Sequence, residues 1–384
     1  MTDAARSLAV AEFINRPGLR AVLAAVPRAR LVGGCVRDAL AGRAVSDIDL
    51  ATPDTPDEVT DLLAKAGLRA IPTGLAHGTV TAVAEGEGYE ITTLRHDRET
   101  DGRHAVVEFT DDWEADAARR DFTINAMSMT PDGAVFDYFG GTADLAAGLV
   151  RFVGNAATRI EEDYLRVLRF FRFFARYGRG APDAGAMQAI ASHLDGLARL
   201  SAERVWSELK RILAAPRPDA SLALMAHSGV LAVILPEARL TQTEFLPPDP
   251  LLRLAALLQG STTVVATRLK LSGDEAETLA ALRGPAPPVG CDDASLRRLL
   301  ADTDPAILAG RARLARRDPA EVARIEITPA PVFPLQGRDL LQQGIAAGPV
   351  IGQELKRLRE LWLASGCTAD RASLLAQLAA TPGA

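Results

Sequence analysis

The chain has 384 residues, of which 48% are apolar and 24% charged, and its formal net charge is −6. At about 150 residues per domain, this length predicts two or three domains with substantial cores. The composition excludes a collagen, a coiled-coil rod and a mainly disordered chain. The three cysteines are far apart, which argues against a disulfide scaffold or a zinc knuckle and fits a reducing compartment. Because no apolar stretch is long enough to cross a bilayer and no signal peptide is recognisable, we expect a cytoplasmic protein.

The first 150 residues alternate between strand-like and helix-like patterns. From Ala157 onward the periodicity is mostly helical and is broken by proline and glycine. These patterns, with the breaks at proline and glycine, predict a head over 1–150, a neck over 151–215, a body over 216–290 and a tail over 291–384. In the head, strands are predicted over 29–33, 47–51, 79–84, 89–94, 106–110 and 134–138, and helices over 36–40 and 53–67 and from Trp113 onward.

The charges are unevenly distributed along the chain. Residues 1–150 carry a net charge of −10, whereas residues 151–217 carry +5. An acidic segment suits metal ions and a basic segment suits phosphate groups, although most charged runs are simply solvated faces.

A glycine turn followed by two aspartates is the most informative feature. A predicted strand runs into Gly33 and Gly34 and continues as a helix, where backbone N–H groups and Arg37 can bind a phosphate. Asp47 and Asp49 are two apart on a predicted strand, so their carboxylates share one face and repel each other unless a cation such as Mg²⁺ binds. This combination predicts phosphoryl or nucleotidyl transfer. The alternative is a surface strand with two solvated aspartates.

The Gly-Gly turn with an Asp-hydrophobic-Asp strand resembles the polymerase-β type of nucleotidyltransferase superfamily. In that superfamily a third carboxylate often lies on a neighbouring strand, and Glu90 is the candidate metal ligand here, unless it is an ordinary exposed glutamate. Three later segments narrow the match to the class II CCA tRNA nucleotidyltransferases and the bacterial poly(A) polymerases. They are Arg119-Arg120-Asp121 with Asn125, Glu162-Asp163 with Arg166, Arg169 and Arg172, and Arg204 with Glu208.

The first of these segments offers contacts for a nucleotide. Paired arginines suit a triphosphate, which makes Arg120 a candidate ligand beside Gly34 and Arg37. Asp121 and Asn125 lie four apart on a predicted helical turn and are candidates to bond a ribose hydroxyl. Alone, the segment also fits a capped helix with an Arg–Asp surface pair.

The second segment offers a way to select a base. Residues Asp163, Arg166, Arg169 and Arg172 are spaced by three, so on a helix they form one stripe. A carboxylate only accepts and a guanidinium only donates, so Asp163 and Arg166 together match cytosine and adenine and mismatch uracil and guanine. The resemblance implies that these two residues act as a protein template, with Arg169 and Arg172 supporting the nucleotide. The alternative is a salt-bridged amphipathic helix.

Smaller features complete the resemblance. Arg204 and Glu208 are predicted to pair at i,i+4 and brace the neck, and the Gly140-Gly141 segment resembles the hinge between head and neck. The segment 95–109, with Asp97 and 101–104, resembles the flexible loop of family members that add all three nucleotides, which favours full CCA addition. The alternative is a polar surface loop.

The resemblance implies an α+β protein with a mixed-sheet polymerase-β-like head and an all-α neck, body and tail. It implies Mg²⁺-dependent addition of C, C and A from CTP and ATP to tRNA, with Asp47 and Asp49 as catalytic metal ligands, in a monomer or homodimer. A bacterial poly(A) polymerase is the nearest alternative, but those enzymes usually carry an extra basic surface, whereas residues 218–384 carry a net charge of −1. A catalytically silent RNA-binding module is the other, and it needs neither aspartate.

Overall fold

The computed structural model describes residues 13–75, 78–100 and 105–379. The chain forms two compact units, Met1–Leu240 and Thr241–Ala384. This division is coarser than the head, neck, body and tail predicted from the sequence, and that four-part division stays a prediction.

The strands of the described residues all belong to the first unit. They are β1 Arg30–Val32, β2 Asp49–Thr52, β3 Arg69–Gly74, β4 Thr79–Ala84, β5 Glu87–Thr93, β6 Arg95–Thr100, β7 Ala105–Phe109, β8 Met127–Met129 and β9 Val135–Asp137. Seven of them form one sheet in the order β3-β4-β5-β2-β1-β8-β9, while β6 and β7 form a separate antiparallel ribbon. Strand β2 runs parallel to β5, and the other neighbours in the large sheet are antiparallel. The mixed sheet predicted for the head is therefore confirmed.

Some strand boundaries differ from the sequence prediction. Strand β2 begins at Asp49, two residues later than predicted, because its pairing with β5 starts there and its pairing with β1 starts at Leu50. Strands β3, β6 and β8 were not anticipated. The segment 95–109, read as a flexible loop, is mostly the β6–β7 ribbon, and residues 101–104 of that interpretation lie outside the described residues.

Some helices of the first unit begin at side-chain caps. Thr55 and Glu58 form a capping box at the start of the helix that opens with Pro56, and Asn155 and Asp183 each accept a backbone hydrogen bond at a helix start. The helices are α1 Pro17–Ala25, α2 Gly34–Leu40, α3 Pro56–Lys65, α4 Trp113–Ala118, α5 Gly141–Ala147, α6 Ala156–Glu162, α7 Leu165–Tyr177, α8 Ala184–Ser192, α9 Ala202–Leu213, α10 Pro218–His227 and α11 Val230–Ile234, with 3₁₀ turns at Thr123–Asn125 and Leu194–Arg199.

A cluster of aromatic side chains joins α7 to the sheet region. The Phe122 ring lies 4.8 Å from that of Phe152 and 5.2 Å from that of Phe173 on α7, and Phe170 stacks on Phe152 at 6.0 Å. Phe122 and Phe170 are fully buried. Burying such rings stabilises a domain by several kcal/mol, roughly 1.5–3 kcal/mol for each ring, so the cluster fixes the arginine-rich face of α7 relative to the segment 119–125.

The second unit is helical throughout its described residues. Its helices pack around two apolar clusters, one centred on Leu308 and Ala312 and one on Leu340 and Trp362. The helices are α12 Pro250–Leu257, α13 Thr262–Leu269, α14 Gly273–Leu282, α15 Asp293–Leu300, α16 Pro305–Leu314, α17 Pro319–Ile327, α18 Gly337–Gln342, α19 Pro349–Ala364 and α20 Arg371–Ala379. A mixed-sheet head followed by helical segments confirms the predicted α+β class. Across the described ranges, no helix is both long enough and apolar enough to cross a membrane.

Candidate active site

Three carboxylates line one cavity where β2 lies beside β5. The parallel register places Asp49 directly opposite Glu90. Asp47 and Asp49 are exposed while Ile48 and Leu50 are buried, so the two aspartates lie on one face of the chain as it enters β2. The sheet topology therefore brings together the three residues that the sequence singled out as candidate metal ligands.

The electrostatics of this group favour a bound cation. Desolvation and the neighbouring carboxylates of Glu90 and Asp47 raise the pKa of Asp49 above its ordinary value, and Arg120 offsets part of the shift. A divalent cation would reverse this penalty, and carboxylate oxygens are the ligands that Mg²⁺ prefers. The aspartate pair thus fits a metal ion. Within the described ranges no three His, Cys, Asp or Glu side chains are close enough to hold one, so the role of Glu90 stays a prediction.

The glycine turn lies next to the first arginine of the candidate triphosphate site. Gly33 connects β1 to α2 with a φ angle of +70°, a backbone conformation that residues other than glycine rarely adopt. A Cβ atom at Gly33 would lie 2.9 Å from Nη1 of Arg120, so glycine allows this guanidinium to approach the turn. Arg119 and Arg120 are both held by the buried Asp116, at 2.8 and 3.2 Å, and the two arginines lower the pKa of Asp116 despite its burial. Sequence reasoning missed Asp116, although its i,i+3 and i,i+4 spacing to the arginines was a signal.

Asp121 is the centre of a buried hydrogen-bond network. Its Oδ1 accepts from the Asn125 side chain at 2.9 Å and from the backbone of Phe122 at 2.9 Å, while Oδ2 accepts from Nε of Arg169 at 2.7 Å. Although burial opposes it, the charge of Arg169 lowers the pKa of Asp121. Asn125 in turn accepts from Nη1 of Arg37 at 2.5 Å. The network connects α2 to α7 across the candidate site.

A cavity of about 510 Å³ brings ten of the predicted site residues together. Gly33, Arg119, Leu165, Phe173 and Arg204 also line it. Asp47 and Glu90 line a neighbouring cavity of about 590 Å³, which shares Asp49 with the first. The ten predicted residues are Gly34, Arg37, Asp49, Arg120, Asp121, Asn125, Asp163, Arg166, Arg169 and Arg172.

The neck residues do not form one helical stripe, and that prediction is wrong. Helix α6 ends at Glu162 and α7 begins at Leu165, which leaves Asp163 in the break with extended backbone angles. The carboxylate of Asp163 accepts from the backbone N–H of Leu165 at 3.1 Å. Asp163 therefore precedes the helix that carries Arg166, Arg169 and Arg172, and it lines the same cavity as these arginines without belonging to their helical face.

The predicted pair between Arg204 and Glu208 is also wrong. Arg204 instead binds Oδ2 of Asp163 at 2.8 Å, and Glu208 binds Arg172 at 2.8 Å and Arg211 at 3.6 Å. Helix α9 packs against α7, so both side chains find tertiary partners that replace the local i,i+4 contact. Arg204 is therefore a residue of the cavity, a role that its helical spacing did not reveal.

Arg166 and Asp163 are each held by the protein, but by different partners. Arg166 donates to the Glu162 carboxylate and to the backbone oxygen of Arg159 at 2.9 Å. Arg172, further along α7, lies over the Phe173 ring at 4.5 Å, and burial lowers its pKa to about 10. These contacts fix the positions of the polar groups that face the cavity.

The glycine pair read as a hinge has a steric role in this structure. A Cβ atom on Gly141 would lie 2.1 Å from the backbone oxygen of Thr123, so only glycine fits there. The backbone N–H groups of Gly141 and Thr142 both donate to Asp137 at 2.8 Å. Helix α5 thus packs tightly under the turn that carries Asn125.

Two family models match the chain. Residues 29–151 match the head domain of poly A polymerase, and residues 182–240 match a probable RNA and SrmB-binding site of polymerase A. The first range contains the glycine turn, both aspartates and the segment from Arg119 to Asn125. The fold, the carboxylates and these matches together define a nucleotidyltransferase, a class of enzyme that normally uses a divalent metal ion.

Similar proteins define the family more closely. The chain is 38% identical over 375 residues to the mitochondrial CCA tRNA nucleotidyltransferase 1 of Mus musculus, which covers 92% of this chain and 86% of the relative. It is 38% identical over 233 residues to the CCA-adding enzyme of Geobacillus thermodenitrificans, across 60% of this chain and 54% of the relative. The chain belongs to the CCA tRNA nucleotidyltransferase family.

Solved structures show the same fold. The Bacillus stearothermophilus CCA-adding enzyme in complex with CTP matches with a TM-score of 0.74 at 26% identity, covering 91% of this chain and 94% of that one. The Thermotoga maritima CCA-adding enzyme complexed with tRNA matches with a TM-score of 0.63 at 22% identity, covering 97% and 98%. The likeness extends over the helical second half, where the sequence offered only helical character.

Proposed function

We propose that this chain adds C, C and A to the 3′ end of tRNA from CTP and ATP without a nucleic acid template, and releases pyrophosphate. The observation that carries the proposal is the register of Asp49 with Glu90 beside a cavity lined by arginines and Asp163. The relatives of Mus musculus and Homo sapiens that align along most of both chains are named CCA tRNA nucleotidyltransferases, which favours this activity over poly(A) polymerisation.

The carboxylate pair and the glycine turn would carry the chemistry. Asp47 and Asp49 would hold Mg²⁺, which supplies positive charge to the attacking 3′ hydroxyl and to the departing pyrophosphate. Gly34 leaves room for the phosphates at the start of α2. Arg37 and Arg120 would donate to the triphosphate, because both guanidinium groups are already oriented by Asn125 and Asp116.

The network around Asp121 would position the ribose. Asp121 and Asn125 stay candidates to contact a ribose hydroxyl, and their hydrogen bonds to Arg169 and Arg37 connect that contact to the phosphate side of the cavity. Arg169 and Arg172 would support the nucleotide from α7. Such preorganised donors act without further rearrangement when the substrate binds.

Asp163 and Arg166 would select the base. Asp163 accepts a hydrogen bond from the amino group of cytosine or adenine, and Arg166 donates to the ring acceptors of either base. Uracil and guanine would leave buried polar groups unpaired, which costs about 1–3 kcal/mol for each group. Arg204 and Glu162 are the partners that hold this pair in place.

The first experiment incubates the purified protein and Mg²⁺ with a labelled tRNA that lacks its 3′ CCA. Addition of three nucleotides, ending in A, is the expected product with CTP and ATP together. A long A tail would identify a poly(A) polymerase, and arrest after CC would show that the β6–β7 segment was misread. No incorporation by a folded protein would refute the proposed activity.

The remaining features of the proposal concern organisation and location. We propose a head, neck, body and tail over 1–150, 151–215, 216–290 and 291–384, with the tail contacting tRNA, and a monomer or homodimer in the cytoplasm. Three similar proteins are mitochondrial in name, so fractionation of the source cell is the test of location.

A further inference from the structure

A second basic cavity lies in the first unit. It has a volume of about 250 Å³, and four arginines and Tyr177 are among the residues that line it. Three of the four arginines are exposed and one is half-buried. We call these four residues the arginine surface: Arg43, Arg176, Arg179 and Arg217.

The arginine surface is held by backbone oxygens. Arg43 donates to the backbone oxygen of Arg176 at 2.8 Å, Arg179 to that of Ala146 at 2.7 Å, and Arg217 to that of Gly178 at 2.8 Å. Within the described part of the chain, none of the four makes a salt bridge with a carboxylate. A carbonyl oxygen orients a guanidinium group without neutralising it, so four positive charges remain together on one surface.

This surface is continuous with the candidate catalytic pair. An adjoining cavity of about 410 Å³ shares Arg176 and Tyr177 with it and is also lined by Asp47. The Tyr177 ring lies 4.6 Å from the guanidinium carbon of Arg37 and 4.9 Å from that of Arg43, so it contacts both the nucleotide cavity and the arginine surface. Asp38 also lines the adjoining cavity, but Arg37 binds its carboxylate at 3.0 Å.

Asp47 lines two cavities of opposite charge. The cavity that it shares with Glu90 also contains Asp49 and Glu87, with Arg16 as its basic residue. That cavity repels a phosphate chain, whereas the cavity that leads to the arginine surface attracts one. A polyanion that delivers its end to Asp47 is therefore favoured on the side of the arginine surface.

We propose that the arginine surface binds the phosphodiester backbone of the tRNA strand whose 3′ hydroxyl reacts at Asp47. This inference rests on the proposed function. Guanidinium groups bind phosphate oxygens in a bidentate manner, and such contacts position a strand without reading its sequence. This suits an enzyme that must accept tRNAs of different sequence.

The test measures binding of tRNA lacking its 3′ CCA over a range of salt concentrations. The main variant combines Arg176→Gln, Arg179→Gln and Arg217→Gln, and Arg43 is left intact because it is half-buried whereas the other three are exposed. A matched triple Arg→Lys variant keeps the charges. The control is Arg69→Gln, an exposed arginine on the edge strand β3 for which the structure shows no side-chain partner among the described residues.

Loss of three phosphate contacts has a quantitative signature. For tRNA binding, the slope of the logarithm of the association constant against the logarithm of salt concentration is negative. Its magnitude decreases by about 2 in the Gln variant, since each phosphate contact contributes roughly 0.7–0.9 to it. At physiological salt the Kd for tRNA rises about ten- to a hundredfold in the Gln variant, and the Lys variant recovers most of it. The KM for CTP is measured in parallel and is expected to change less than the Kd for tRNA, and Arg69→Gln matches the wild type.

Several outcomes separate this inference from its alternatives. The inference would be overturned if a folded triple variant bound tRNA with the wild-type Kd and salt slope. It would also be overturned if the substitutions changed only the inhibition of the enzyme by free pyrophosphate. If the triple variant is unstable, Arg176→Gln decides, because the structure shows no hydrogen bond from its guanidinium group to a described residue. Failure of the wild type to add nucleotides would instead refute the proposed function, whatever the binding data show.

Discussion

Two groups of acidic side chains in the first unit have opposite surroundings. The carboxylate of Asp121 is buried and accepts hydrogen bonds from Arg169, Asn125 and the backbone, and its pKa is lowered. Asp49 faces Glu90 and Asp47, and its pKa is raised. The protein has already neutralised the first group, so that group is part of the framework. The carboxylates of the second group repel one another and would be relieved by a cation, which is why we propose this group as the reactive part of the site.

The largest expected effect comes from removing the candidate metal ligands. Asp47→Asn and Asp49→Asn are each expected to lower kcat/KM for CTP addition by at least about 10³-fold, which corresponds to about 4 kcal/mol. Their free energies of unfolding should not fall, because each substitution relieves repulsion. Glu87→Gln, on the rim of the same cavity, is the matched control and should retain activity. A large loss of stability in Asp49→Asn would contradict the comparison.

Substitution of Asp121, the framework carboxylate, should lower the stability of the protein, unlike the substitutions of Asp47 and Asp49. Asp121→Asn leaves the half-buried guanidinium group of Arg169 without its carboxylate partner, so we expect a loss of about 2 kcal/mol in the free energy of unfolding, measured with denaturant. The double variant Asp121→Asn with Arg169→Gln should recover part of that loss, since it removes both charges. If the single variant is as stable as the wild type, the network is not part of the framework.

The contact between Arg204 and Asp163 offers a third test, with an effect on selectivity. Arg204→Gln should free the Asp163 carboxylate and reduce the preference for CTP over UTP, in kcat/KM, by about tenfold or 1.4 kcal/mol. Lys210→Gln on the same helix is the control, because Lys210 lies against Trp206 outside the cavity. An unchanged CTP/UTP ratio would mean that Arg204 only stabilises the neck.

The comparison also explains how far the sequence could be read. The glycine turn and the two aspartates were predictable from strand alternation and local spacing, which determine which side chains share a face, whereas Glu90 was implied by the family resemblance. Ten of the predicted residues line one cavity because the family resemblance named motifs from distant segments together, which local spacing alone could not do. The helical content of the chain beyond the neck was likewise visible from its periodicity.

What the sequence did not reveal depends on contacts between distant segments. Helical spacing pairs Arg204 with Glu208, yet once α9 packs against α7, Arg204 binds Asp163 and Glu208 binds Arg172. The sequence also did not reveal the break in the helix at Asp163. There the Asp163 carboxylate accepts a hydrogen bond from the backbone N–H of Leu165, a contact that the spacing of the arginines does not indicate. A local pattern predicts local partners, and tertiary packing replaces them where a long side chain can reach further.

The smallest effect, and the sharpest form of the comparison, is the pH dependence of stability. Because the pKa of Asp121 is lowered by folding, its contribution is present above its unfolded pKa of about 3.9 and is lost as pH falls through the lower folded value. Because the pKa of Asp49 is raised, the folded state holds its proton more tightly, and stability falls as pH rises from the unfolded pKa through the folded one.

Asn substitutions should therefore change the pH profile of unfolding in opposite directions. Asp121→Asn removes the loss of stability at low pH, whereas Asp49→Asn gives a gain at neutral pH of less than about 1 kcal/mol, since water screens this exposed group. Denaturant unfolding between pH 3 and 7, with and without Mg²⁺, measures both. The ion should stabilise the wild type and leave Asp49→Asn nearly unaffected, because a ligand stabilises only the folded state that binds it. Equal stabilisation of both proteins by Mg²⁺ would place the cation away from Asp49.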